Sequence, residues 1–206
     1  MADGFLPRLR AARQSDRWIY TTMLVSALLS LTASFVLSVD AIILAADPRA
    51  ALACNINAVI SCGTVGASWQ ASLFGFPNAF LGLIAEPVVI TIAVASLGGV
   101  RFPRWFMLSA QVVYTLGLVF AYWLFFQAYF VIGALCPWCL LITLSTTLVF
   151  TSLTHVNIRD GNLYLPDVAS RLARGFVRAD LDALFVALWL LGVAAMVVTK
   201  YATVLF

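Results

Sequence analysis

Charge is what this sequence has least of. Asp, Glu, Lys and Arg make up 10% of its 206 residues, whereas 63% are apolar. Soluble domains carry about 25% charged residues, so water is excluded as the main solvent of the chain. The net charge of +3, from 12 basic and 9 acidic residues, is too small and too dispersed to draw a polyanion, which excludes nucleic acid as a partner. No internal repeat, no low-complexity tract, no flavin fingerprint and no haem-attachment motif is present. Any redox chemistry therefore needs an acceptor from outside the chain.

What is abundant is long apolar runs, and a bilayer core of about 30 Å needs about 20 such residues per helix. Runs at Trp18 to Ala46, Pro77 to Leu97, Trp105 to Gln127, Leu135 to Thr154 and Leu181 to Phe206 predict an all-α integral membrane protein with five transmembrane helices. The first run follows an Arg-rich stretch, but a signal-peptide core spans only about 7 to 15 residues, so it is read as a span. Arg8, Arg10, Arg13, Arg17, Arg101, Arg104, Arg159, Arg171, Arg174 and Arg178 fall on one side, leaving Arg49 and Lys200 for the other. The basic side is cytoplasmic by the positive-inside rule. The N-terminus is then inside and the C-terminus outside. Residues 1–17 form a cytoplasmic segment, 18–154 a four-span unit with an outer loop at 47–76, 155–180 a linker and 181–206 the fifth helix. Leu165, Val168, Leu172 and Phe176 recur at helical spacing among arginines within the linker. That pattern fits either a short amphipathic helix on the cytoplasmic surface or a plain connection.

Four cysteines collect on the outer side. Cys54 and Cys62 lie in the outer loop with seven residues between them, and Cys136-Pro137-Trp138-Cys139 stands where the fourth span begins. The outer compartment permits disulfides, so two structural bridges are one reading. The other is exchange. Cysteines three apart at a helix start can close a small ring, which constrains an unfolded chain little and serves better as a switch. Pro137 suits the first turn of a helix, placing both thiols by its positive end, where thiolate is favoured. Structural zinc sites favour paired short spacings, from which the seven-residue gap departs, so no metal is expected.

A dithiol relay at a membrane surface with no cofactor of its own needs a lipid-soluble oxidant, and a quinone is the natural one. Phe74, Phe76 and Trp138 stand near the membrane edge by the thiols, and Asn78 at the start of the second span can donate to a quinone carbonyl. Interfacial anchoring and helix capping are the plainer roles for the same residues.

Cys54, the seven-residue gap, Cys62, Val65, Ser68, the Phe74-Gly75-Phe76-Pro77-Asn78 turn and Cys136-Pro137-Trp138-Cys139 together resemble the vitamin K epoxide reductase family in its bacterial, disulfide-forming version. The likeness runs from about Trp18 to Phe150. It implies that spans 1 to 4 form a four-helix bundle around a quinone pocket, with menaquinone, ubiquinone or a vitamin K type quinone as cofactor. By that resemblance Cys54 faces a thiol partner, Cys62 carries the exchange to Cys136, and Cys139 lies against the quinone. Asn78 matches the quinone-bonding Asn, and the stretch from Gly63 to Phe74, with Ser68 as its polar member, caps the pocket. Some members carry a Tyr four residues beyond the second cysteine of the motif. Here Thr143 stands there, with a shorter hydroxyl. Many bacterial relatives append a thioredoxin-like domain after a fifth span, whereas this sequence ends at Phe206. The electron donor is therefore expected to be a separate thioredoxin-fold (DsbA-like) protein, and the location the bacterial cytoplasmic membrane.

Three further residues are weighed. Glu86 lies about 12 Å into the second span, just before Pro87. A protonated Glu bonded to a neighbouring helix is expected there rather than a site group. Asp40, near the outer end of the first span, is close enough to the loop to hold it or aid proton transfer, but a solvated helix end is the favoured expectation; His155, the sole histidine, is expected to be a surface residue at the cytoplasmic end of the fourth span. The rival readings are an unrelated disulfide-forming membrane enzyme and a non-catalytic multi-pass protein with structural disulfides.

Overall fold

The computed structural model describes residues 12–57 and 59–205; most of the N-terminal segment, including Arg8 and Arg10, and the terminal Phe206 lie outside them. The described chain is helical. Five helices are long and apolar enough to cross a membrane: α1 (Asp16–Ala46), α3 (Ala79–Leu97), α4 (Arg104–Phe126), α5 (Pro137–Arg159) and α7 (Leu181–Leu205). Two shorter ones, α2 (Cys62–Gly66) and α6 (Asp167–Arg178), lie in the connections.

The helices begin and end where local chemistry says they should. Ser15 caps α1, its Oγ accepting from Trp18 N at 3.3 Å, and Pro137 occupies the first turn of α5 behind the N-cap Cys136. The third span runs past its expected end. From Phe126 it continues as a π-helical segment, Gln127–Ile132, until Gly133 turns left-handed at φ +75°. Gln127 looked like the polar end of the run, but its Oε1 accepts from Gln70 Nε2 at 3.4 Å and so is provided for inside the protein. The fourth span starts later than expected. Leu135 is apolar but extended, paired by a short parallel bridge with Ile60 in the outer loop.

Packing of α1 sets the bundle. Ile19, Met23, Ala27, Ser30, Ala33, Ser34 and Ser38 form a buried stripe of mostly small side chains at helical spacing, which lets α3 and α5 approach closely. Gly82 on α3 is the tightest point: a Cβ there would collide with Ser34 Oγ and stand 2.8 Å from Ser34 Cβ. Helix α4 packs on α5, closing an order α3, α1, α5, α4, while α3 and α4 face each other with little direct contact.

One end of the bundle is solid and the other hollow. The solid end is filled by Ile19, Met23, Val89, Ile92, Met107, Val149, Leu153 and Val156. It also gathers the arginines: Arg159 pairs with Asp16 at 2.7 Å, Arg101 with Asp160 at 3.8 Å, and Arg104 donates to Gly161 O at 2.5 Å. Helix α6 lies at this end with Val168, Leu172 and Phe176 exposed on it and Leu165 exposed just before it, so an amphipathic helix and not a plain connection joins α5 to α7. His155 departs from expectation. It is 8% exposed, and its Nδ1 lies 2.7 Å from Asp182 Oδ2 on α7; the fifth helix docks there and covers it. At the opposite end α7 packs through Val193, Met196 and Tyr201 on Phe125, Tyr129 and Leu135.

A candidate thiol relay above an apolar cavity

All four cysteines lie at the hollow end. Cys54 and Cys62 form a disulfide, with Cα atoms 5.6 Å apart, and Cys136 and Cys139 are free thiols. Cys136 Sγ stands 3.3 Å from Cys62 Sγ. The neighbours of these residues explain the approach. Leu135 N donates to Val59 O at 2.7 Å and Ser61 N to Leu135 O at 3.0 Å, so the residue just before Cys136 is tied to the residues just before Cys62. Asn55 braces the same turn, its Oδ1 accepting from Gly63 N at 2.8 Å and Ser61 Oγ at 3.1 Å. Both loop sulfurs are covered, Cys54 being 9% and Cys62 2% exposed.

Cys136, at the helix start just outside the span, is a thiol shifted toward its ionised form. A hydrogen bond from the Cys139 thiol holds it below the ordinary cysteine range, against the opposing effect of burial, and backbone N–H groups of Cys139 and Trp138 add to the lowering. The Cys139 N–H lies 3.4 Å from Cys136 Sγ, which is the N-cap bond of α5. A thiol shifted toward its ionised form thus lies against the loop disulfide, an arrangement suited to thiol–disulfide exchange.

Beneath the sulfurs lies a cavity of about 520 Å³, within the range of small-molecule sites. Cys62, Cys136 and Cys139 form part of its roof. Of the residues singled out by sequence, Asn78, Ser68, Phe74 and Thr143 line it, while Phe76 and Trp138 stand outside the wall. Phe76 stacks between Phe74 and Phe80, with centroids 6.0 and 6.5 Å away, and Trp138 packs against the cysteine cluster. Asn78 closes the cap: its Nδ2 donates to Gln70 O at 2.6 Å and its Oδ1 accepts from Leu73 N at 3.2 Å. One amide hydrogen remains. Ser68 Oγ donates to Val65 O at 2.6 Å and Thr143 Oγ1 to Cys139 O at 3.0 Å, so both hydroxyl hydrogens are spent on backbone.

Asp40 is not a solvated helix end. It lines the cavity, and its Oδ2 lies 3.7 Å from Cys54 Sγ. Its carboxylate and the two loop sulfurs fall within 4.8 Å of one another, but sulfurs joined to each other carry no thiolate charge for a cation. Glu86 is bonded to neighbouring helices as expected, through Ser30 Oγ at 2.7 Å and Tyr114 Oη at 2.9 Å. It also lines the cavity, together with Ser30, Ser34 and Tyr114, which sequence reading left out. The spacing held a signal for it: Asn78, Gly82 and Glu86 recur every four residues and so share one face of α3.

The model of the vitamin K epoxide reductase family matches residues 21–154, which run from within α1 to within α5 and include all four cysteines. A search of curated proteins returns no match. This multi-pass helical chain, with paired cysteines over a cavity within its bundle, belongs to the vitamin K epoxide reductase family.

Proposed function

We propose that the protein is a quinone-dependent thiol oxidase that supports disulfide formation outside the cytoplasm. A separate thioredoxin-fold thiol protein, DsbA-like in chemistry, reduces the Cys54/Cys62 pair. Cys62 thiolate then attacks Cys136 of an oxidised Cys136/Cys139 pair, giving a Cys62–Cys136 bond and Cys139 thiolate. Attack of Cys54 on Cys62 restores the loop disulfide and leaves Cys136 and Cys139 reduced. A membrane quinone supplies the sink for the two electrons and two protons that the Cys136/Cys139 thiols give up as they rejoin.

The single observation that carries this reading is the 3.3 Å between Cys62 Sγ and Cys136 Sγ at the roof of the cavity that Cys139 also lines. The oxidised loop facing two free thiols corresponds to the state just after the internal exchange. The cavity wall suits a flat apolar ring: aromatic and aliphatic side chains from four helices, and one spare amide hydrogen on Asn78. Ile84, Val113 and Leu116 line it and are also exposed, at the seam where α3 and α4 scarcely touch, which offers a tail a way into lipid.

Orientation follows from charge. Arg101, Arg104, Arg159, Arg171, Arg174 and Arg178 at the solid end are opposed by Arg49 and Lys200 at the other, which argues for cysteines on the outer face of the bacterial cytoplasmic membrane. On this reading residues 18–154 are the catalytic unit, 155–180 a surface-lying linker and 181–206 an added helix. The test is quinol formation by the purified chain supplied with a reduced thioredoxin-fold protein. Cys139→Ala abolishes it, and Cys62→Ser traps the partner on Cys54 as a mixed disulfide. Turnover retained in Cys139→Ala overturns the proposal.

A further inference from the structure

The cavity is polar at both ends. Asn78 sits under the cap near the sulfurs, and eight residues further along the same face of α3, a rise of about 12 Å, lies Glu86, 4% exposed. Between them Gly82 also lines the cavity, packed against Ser34 of α1. An acid at this depth in a membrane is costly, so its retention asks for a use. Its immediate partners hold it in place without exhausting it. Ser30 Oγ reaches Oε1 at 2.7 Å, and Tyr114 Oη lies 2.9 Å from both Oε1 and Oε2. Each hydroxyl brings one hydrogen and both can be given to Oε1, so in the acid form the hydrogen on Oε2 has the choice of Tyr114 Oη or an acceptor in the cavity. Ser34 Oγ, buried in the same wall, has no hydrogen-bond partner, so the polar floor has unmet capacity of its own.

A para-quinone carries its two oxygens on opposite sides of the ring. Fixing it takes two polar groups separated by the ring and a hydrogen bond of about 2.8 Å at each end, and the rise from Asn78 to Glu86 is of that order. Thr143 is the alternative for the second contact, but its hydroxyl hydrogen is committed to Cys139 O.

We infer that Glu86, held by Ser30 and Tyr114, is the second anchor of the substrate ring: it donates to the quinone oxygen remote from Cys139, while Asn78 serves the near one. The inference rests on the quinone reading above and adds a specificity. The site favours rings with opposed oxygens over rings that carry one.

The test is binding, read by quenching of tryptophan fluorescence in the detergent-purified full chain. Two probes are compared: a short-tailed para-quinone and its mono-carbonyl analogue lacking the remote oxygen. Wild type prefers the para-quinone by about tenfold, the value of one buried hydrogen bond. Glu86→Leu removes the preference by weakening the para-quinone alone. Tyr114→Phe, which keeps the ring in place, reduces the preference to a few-fold. A preference intact in both variants overturns the assignment, as does a larger loss in Thr143→Val than in Glu86→Leu. A wild type that binds neither probe and forms no quinol overturns the quinone reading itself, and this anchor with it.

Discussion

Cys136 draws its acidity first from a neighbour three residues away. Because the largest lowering influence is the hydrogen bond from the Cys139 thiol, Cys139→Ala should raise the Cys136 midpoint toward or past that of an ordinary thiol, about 8.5. The sign is fixed: a midpoint below the ordinary value means that thiolate accumulates at a pH where a free cysteine is still protonated, and the variant shifts that rise to higher pH. Ultraviolet thiolate absorbance against pH measures it, and an unmoved midpoint would assign the acidity to the helix start instead. At this scale the sequence announced the four cysteines and Asn78, since each sits in a short motif whose chemistry is local. It did not announce which aromatics face the cavity. Phe74 and Phe76 are two residues apart, and only the turn at Gly75, with φ +80°, decides that Phe74 meets Phe120 while Phe76 turns to Phe80. Ser30, Ser34 and Tyr114 were illegible for another reason: nothing local tells a Ser or Tyr in a span which helix it will meet.

Between α1 and α3 the limiting contact is backbone against side chain. Gly82→Ala places a methyl into Ser34, so the helices must part, at a cost of about 1–3 kcal/mol by analogy with overpacked cores. A lowered melting temperature, restored when Ser34→Gly is added, checks it; loss without restoration would put the strain elsewhere. Helices of this kind are easily read from sequence, because length and apolarity alone decide that a run spans lipid. Their ends are less so. Leu135 has the hydropathy of a span residue yet pairs with Ile60, since a backbone bridge across 75 residues of chain leaves no trace in composition. The same holds for His155, whose burial depends on α7 arriving with Asp182. Helix α6 shows the opposite case: of the pattern Leu165, Val168, Leu172 and Phe176, the last three appear on it as an exposed apolar stripe beside Arg171, Arg174 and Arg178, and Leu165 stands exposed just before it.

For the molecule as a whole, charge asymmetry makes a directional prediction. With an impermeant maleimide on intact cells, Asn57→Cys should label at once and Arg171→Cys only after permeabilisation; the reverse order would invert the topology. Hydropathy alone does not tell that the bundle is solid at one end and hollow at the other, because a cavity is set by how four helices splay and not by any one of them; the expectation of a pocket comes from the family resemblance. The cover over the loop disulfide has a consequence for timing. Cys54 and Cys62 are buried, and the loop that carries them is also what ties Cys62 to Cys136, through the pairing of Val59 and Ser61 with Leu135. On the proposed relay, a loop that opened to receive electrons from a visitor would by the same movement interrupt their delivery inward.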